Sequence, residues 1–110
     1  MSGYFQFGVA AGDHFMFNLK AGNHEVILTS QTYKSKQAAL DSIESVRNNS
    51  QVESRFERKV AKDNSPYFTL LATNGQVIGK SEMYSSSAAM ENGIKSVMTN
   101  GASKVVKGLA

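Results

Sequence analysis

Residues 23–35 read NHEVILTSQTYKS and residues 74–86 read NGQVIGKSEMYSS, and their likeness decides the fold. Laid over each other at a constant offset of 51, residues 17–50 and 68–101 share a run of identical pairs without a gap. The pairs run from Phe17/Phe68, Leu19/Leu70 and Ala21/Ala72 through Asn23/Asn74, Val26/Val77, Ile27/Ile78, Ser30/Ser81, Tyr33/Tyr84 and Ser35/Ser86. They continue with Ala38/Ala89, Ile43/Ile94, Ser45/Ser96, Val46/Val97 and Asn49/Asn100. Ordinary composition supplies about two chance identities over such a span, so the chain is an internal duplication. Phe5/Phe56, Val9/Val60 and Ala10/Ala61 extend it backwards. The expectation is one domain over 1–110, made of repeats at 4–50 and 55–101, with 102–110 as a C-terminal tail.

Working outward, Phe5, Phe7 and Val9 alternate with polar or small residues, as do Phe15, Phe17, Leu19 and Ala21, the period of a half-buried strand. Pro66 stands where Phe15 does, so the second copy of that strand should start there, since proline has no amide for the ladder. Gly12-Asp13 and Asp63-Asn64 read as hairpin turns, and Gly22-Asn23 and Asn74-Gly75 as a second pair, type I′ by their Asn and Gly content. A third strand is expected over Glu25–Ser30 and Gln76–Ser81. Ser35 and Ser86 then suit helix N-caps. Ala39, Ile43 and Val46, and likewise Met90, Ile94 and Val97, form one apolar stripe per helix, with Asn49 and Asn100 placed to end each helix in the left-handed conformation.

The fold class is therefore α+β, two tandem β-β-β-α repeats of antiparallel strands with two helices, related by a pseudo-twofold. A unit of about 50 residues is marginal alone, so the copies should complete each other, and a monomer is expected because the partner surface is covalently supplied. Whether one sheet or two results stays open. In the tail, Val105, Val106 and Leu109 among lysines could dock or fray.

The pattern carried by Phe17, Leu19, Ala21, Asn23, Val26, Ile27, Ser30, Tyr33 and Ser35, then Ile43, Ser45, Val46 and Asn49, and carried again from Phe68 to Asn100, resembles the YegP-like family. That is a bacterial family of unknown function whose members occur as single and tandem units. The resemblance implies an α+β fold and brings no activity, cofactor or catalytic residue. The two copies depart from each other at His24 against Gly75 and at Lys36 against Ser87.

With no cysteine in 110 residues, disulfides, thiolate metal sites and cysteine nucleophiles are excluded. The first residues lack the basic n-region of a signal peptide, and no apolar run reaches membrane-spanning length. A soluble, cytoplasmic protein is expected. The formal charge of +3 comes wholly from the second half. There Arg55, Arg58, Lys59 and Lys62 form a candidate anion patch, or else a solvated strand with interspersed acids. Arg58 replaces Phe7 on an apolar face, and inward-leaning charges protect sheet edges, so this position should be an edge or rim.

No P-loop, nucleophile elbow or repeated carboxylate pair is present. His14 and His24 occur in one copy and lack metal-ligand spacing. No catalytic, cofactor-binding or metal residue is assigned. The repeated polar set Asn23, Ser30, Tyr33 and Ser35, with Asn74, Ser81, Tyr84 and Ser86, remains the candidate binding set, although each member also has a geometric duty in a turn, strand end or cap. The leading functional reading is a non-catalytic binding or interaction module of unknown partner. The alternative is weak nucleic-acid association through the basic patch, and an enzyme stands third.

Overall fold

A computed structural model describes residues 3–108. Strands β1 (Tyr4–Ala10), β2 (His14–Lys20) and β3 (Val26–Thr29) precede helix α1 (Lys36–Asn49). Strands β4 (Phe56–Val60), β5 (Pro66–Leu71) and β6 (Val77–Lys80) precede α2 (Ser87–Asn100), and a short β7 (Val106–Lys107) follows. The alternation predicted for the strands sets their register: Phe5 lies opposite Leu19 in β1–β2, and Phe56 opposite Leu70 in β4–β5. Pro66 does open β5.

The open question of one sheet or two is answered by the order β4-β5-β6-β3-β2-β1-β7. The repeats join through β3 and β6, antiparallel, with Thr29 opposite Lys80. Those residues are each other's counterparts at the repeat offset, and a residue meeting its own equivalent is what a twofold axis produces. The expectation of antiparallel strands alone is corrected by β7, which runs parallel to β1 with Val106 beside Phe5. The tail is too short to show strand period, so this docking was not readable. It is fixed by Phe5 N donating to Val105 O at 3.0 Å and Arg47 Nε donating to Ser103 O at 2.7 Å. Leu109 lies outside the described residues.

Both helices cover one face of the sheet, burying Phe5, Phe17, Leu19, Leu28, Phe56, Phe68 and Leu70 against Ile43, Val46, Met90, Ile94 and Val97. Helix α1 touches β2 of its own repeat and β5 and β6 of the other, while α2 touches β5 and also β2 and β3. Neither repeat closes its core alone. Both caps are as expected: Ser35 Oγ accepts from Ala38 N at 3.0 Å and Ser86 Oγ from Ala89 N at 3.1 Å, contacts worth about 1 kcal/mol each. Among the described residues no helix is long and apolar enough to cross a membrane.

Where the axis brings equivalents together, the copies must differ. Leu28 lies over its counterpart Gly79, where an added Cβ would stand 2.5 Å from Leu28 Cδ2. At the helix ends, a Cβ on Gly101 would collide with Ser50 Oγ, again its counterpart. Two leucines or two serines would overlap at these points, so the second copy carries glycine.

Three local expectations are corrected. The Asn turns are not type I′: only His24 (φ 70°) and Gly75 (φ 85°) are left-handed, after turns closed by His24 N to Ala21 O and Gly75 N to Ala72 O, both 2.9 Å. This is the three-residue hairpin with one left-handed residue. The helices run into Ser50 and Gly101 with φ of −66° and −67°, so Asn49 and Asn100 do not end them in the left-handed region. Instead their buried amides donate to Ser45 O at 2.9 Å and Ser96 O at 2.8 Å, and Asn100 Oδ1 accepts from Gly3 N at 2.9 Å. Finally, Val9, grouped with the core face, is 68% exposed, as is Val60 at 67%, because both strand ends lie beyond the helical cover.

Candidate functional site

The helices leave the other face of the sheet open. Strand alternation turns Glu57 and Lys59 of β4, Tyr67 and Thr69 of β5, Lys80 of β6 and Thr29 of β3 toward it, since their neighbours Phe56, Phe68, Leu70, Gly79 and Leu28 face the core. On this face lies a cleft of about 520 Å³. The first repeat lines it with Val26, Thr29, Ser30 and Gln31, the second with Lys59, Tyr67, Thr69, Val77, Lys80, Ser81 and Glu82. Val26 and Val77, and Ser30 and Ser81, are counterparts, so the cleft straddles the axis and belongs to neither repeat.

Its charged residues, Lys59, Lys80 and Glu82, all come from the second repeat. Lys59 stands opposite Tyr67 in the β4–β5 ladder, and Lys80 Nζ lies 5.1 Å from the Tyr67 ring centre on the other side. Tyr67 of β5 thus stands between two strands, β4 and β6, that each bring a lysine to the cleft. Lys59 Nζ is 3.0 Å from Glu57, and the hydrogen bond to that carboxylate raises its pKa above the usual lysine range. Lys80 makes no ion pair among the described residues. In the first repeat the places of Lys59, Tyr67 and Lys80 hold Gly8, Met16 and Thr29. At the far end of the same face, Lys107 Nζ is 4.1 Å and Lys20 Nζ 6.0 Å from the Tyr4 ring centre.

Of the candidate binding set, the cleft gathers Ser30 and Ser81 alone. Each is doubly engaged: Ser30 Oγ accepts from Phe17 N at 2.9 Å and donates to Gln31 O at 2.7 Å, and Ser81 Oγ accepts from Phe68 N at 2.9 Å and donates to Glu82 O at 2.8 Å. Asn23 and Asn74 accept from Glu25 N and Gln76 N at 3.1 Å within their turns. Ser35 and Ser86 cap the helices. Tyr33 hydrogen-bonds Ser42 Oγ at 2.6 Å, whereas Tyr84 stacks on Phe68 with its hydroxyl over Gly93, the counterpart of Ser42. Burial, then Glu82 and Glu25, pushes the Tyr84 phenol pKa upward.

The candidate anion patch is divided. Arg58 reaches the helical side and clasps Glu91 through Nε at 2.5 Å and Nη2 at 2.8 Å, with Glu53 at 3.0 Å. Lys59 points the opposite way, Lys62 is exposed in the turn after β4, and Arg55 Nε is buried without a hydrogen-bond partner. Arg58, on the terminal strand and 39% exposed, does sit at an edge. His14 and His24 stay apart, on Ala11 O at 3.3 Å and the Tyr4 hydroxyl at 2.8 Å. Among the described residues no three His, Asp or Glu side chains gather as a metal site. Sequence reasoning missed Thr29, Tyr67, Thr69 and Lys80, because it sought polar residues repeated in both copies and these four are unrepeated.

A family model described as a domain of unknown function, DUF1508, matches the chain twice, over residues 10–57 and 61–107. The matches begin at the same offset as the sequence repeat, and the second runs through β7. A UPF0339 protein of Shewanella oneidensis is 53% identical over 109 residues, covering 99% of each chain. The UPF0339 protein YegP of Escherichia coli K12 is 48% identical over 107 residues, covering 97% of each. A solution NMR structure of a UPF0339 protein from S. oneidensis superposes with a TM-score of 0.91 at 53% identity, over 97% of this chain and 91% of that one. The solution NMR structure of E. coli YegP, described as a protein of unknown function, gives a TM-score of 0.92 at 48% identity, over 97% and 92%.

Proposed function

Because the chain belongs to the YegP-like, UPF0339 family of bacterial proteins and holds two copies of one domain, we propose that it is a non-catalytic binding module working through the seam between the copies. We read it as two β-β-β-α units about a pseudo-twofold axis, acting as a cytoplasmic monomer. One observation carries the reading: the 520 Å³ cleft is walled by both repeats and lies across the axis. That volume is in the range that accommodates a small ligand. The repeated serines, asparagines and tyrosines are engaged in turns, caps and ladders, which leaves unrepeated side chains to make contacts. Amide-resolved NMR with a library of small fragments tests this. Saturable shifts centred on Val26, Thr29, Thr69 and Val77 are expected. Hits confined to the helical surface would remove the seam from consideration. Light scattering should return the monomer mass of 11.9 kDa.

Nucleic-acid association is the second reading. It is favoured by the open face, whose strand positions carry Lys20, Lys59, Lys80 and Lys107 against Glu57. Fluorescence anisotropy with single- and double-stranded oligonucleotides should then show binding that weakens steeply with salt. Absence of binding at low salt would discard this reading.

A further inference from the structure

We propose that Lys59, Tyr67 and Lys80 form an anion-recognition element, so that the seam cleft takes one small ligand per chain bearing a phosphate or carboxylate group. The inference rests on the seam being the binding surface and adds the ligand's charge and its stoichiometry.

Lys80 is an exposed cation in the cleft with no ion-pair partner among the described residues, held over the Tyr67 ring at 5.1 Å. Such placement leaves its N–H donors for an incoming anion. Lys59, opposite Tyr67 in the β4–β5 ladder, adds a second ammonium to the cleft lining. Its link to Glu57 joins side chains 41% and 47% exposed, a surface pair that an oxyanion can displace or share. Thr29 and Thr69 also line the cleft, their hydroxyls donating to Asn18 Oδ1 at 3.0 Å and Glu57 Oε1 at 3.5 Å, and Val26 and Val77 supply apolar wall for the uncharged body of the ligand. Among the described residues Glu82 is the one acidic residue of the lining, against the two lysines, so the balance there is positive. Ammonium groups beside a phenol suit an oxyanion: charge-assisted bonds are the strong ones, and a partly enclosed cleft screens them less than bulk water.

Stoichiometry follows from the asymmetry. The first repeat puts Gly8, Met16 and Thr29 where the second has Lys59, Tyr67 and Lys80. The axis therefore generates no second anion site, although it generates both valine walls. A duplicated chain thus carries one charged pole in one shared cleft.

The test is an amide NMR titration of the full chain with three ligands sharing one aromatic body: phenyl phosphate, benzoate and neutral benzyl alcohol. Phenyl phosphate or benzoate should shift Thr29, Tyr67, Thr69 and Lys80 amides and saturate at one equivalent, and the stronger of the two identifies the group. Lys80→Ala should weaken binding about tenfold or more, with Lys80→Arg restoring much of it. Lys95→Ala, exposed on helix α2 over the opposite face of the sheet, should change nothing. Because Lys80 is exposed, the spectrum of Lys80→Ala should keep its dispersion and so separate lost binding from lost fold. If benzyl alcohol shifts the seam as strongly as the anions, the seam remains a binding surface and anion recognition is overturned. If the anions instead shift residues around Lys20 and Lys107 and leave the seam unmoved, both readings fall. Saturation at two equivalents overturns the single site.

Discussion

The two repeats share their core and part company at two places, the axis and the outer edges. Within the core, several identical pairs persist because each copy solves the same packing problem: Phe17 and Phe68, Ile43 and Ile94, and Val46 and Val97 are buried alike. At the axis, Leu28 meets Gly79 and Ser50 meets Gly101, and a symmetric pair of side chains would occupy one volume. At the edges, β1 is covered by β7 whereas β4 is open. Accordingly the apolar Phe7 and Leu40 of the first copy become Arg58 and Glu91 in the second, which form a charged clasp. Duplication thus conserves what is internal to a unit and differentiates what one unit does to the other.

The sharpest way to break this comparison is at the axis. Leu28→Ala should cost about 2–5 kcal/mol, as buried leucine truncations do, and Gly79→Leu alone should also destabilise by overpacking. Combining Leu28→Gly with Gly79→Leu moves the side chain to the equivalent place across the axis. The double variant should be more stable than the sum of its single changes predicts, measured by urea denaturation. Simple additivity would mean that the two positions do not share one volume.

A smaller effect is expected where Tyr33 and Tyr84 differ. Gly93→Ala should destabilise by about 1–3 kcal/mol, because the new methyl meets the Tyr84 hydroxyl and ring. Ser42→Ala, at the counterpart position, removes one hydrogen bond from Tyr33 and should cost only about 0.5–1.5 kcal/mol. Thermal denaturation of the two variants should preserve that order, and a reversed order would show that the tyrosines are held by something other than these contacts.

The edge clasp should matter least. Hydrogen bonds from Arg58 hold the Glu91 carboxyl below its ordinary range. A depressed carboxylate pKa stabilises the fold at pH above the unfolded value, about 4.3, and this contribution is lost as pH falls through the folded value. With side chains 39% and 43% exposed, solvent limits it to less than about 1 kcal/mol. Glu91→Gln should therefore be slightly less stable than the parent at pH 7, and the gap should close below about pH 4. A gap that persists in acid would assign the loss to packing.

Much of the fold was legible because local chemistry and tertiary duty agree. Ser35 and Ser86 read as caps and are caps, and Pro66 read as a strand start and opens β5. The Asn turns were placed correctly but given the wrong type, since Asn and Gly suit left-handed conformations without revealing that one residue in each turn adopts it. What could not be read was how strand meets strand between the copies, because outer-strand pairing leaves no periodic trace. One signal was available: after the matching Val26/Val77 and Ile27/Ile78, the break of identity at Leu28 and Gly79 marks where the copies collide. The cleft was missed for the complementary reason. Lys80 and Tyr67 look like ordinary outward-facing strand residues, and only the joining of β6 to β3 gives them a wall in common with Val26.

The parallel strand β7 has a consequence for the order in which a growing chain can become this molecule. Synthesis proceeds from the N-terminus, and domains fold as their parts emerge. β1 emerges first, yet residues 103–107, which cover its edge, emerge after both helices and every other strand. Helix α1 likewise waits for β5 and β6 before its far side has anything to pack on. The edge of β1 thus waits for the latest of these strands, and contacts joining residues about a hundred positions apart close slowly. On the ribosome, the first repeat is therefore an unfinished surface until residues 103–107 are free of the tunnel and β7 covers the edge of β1.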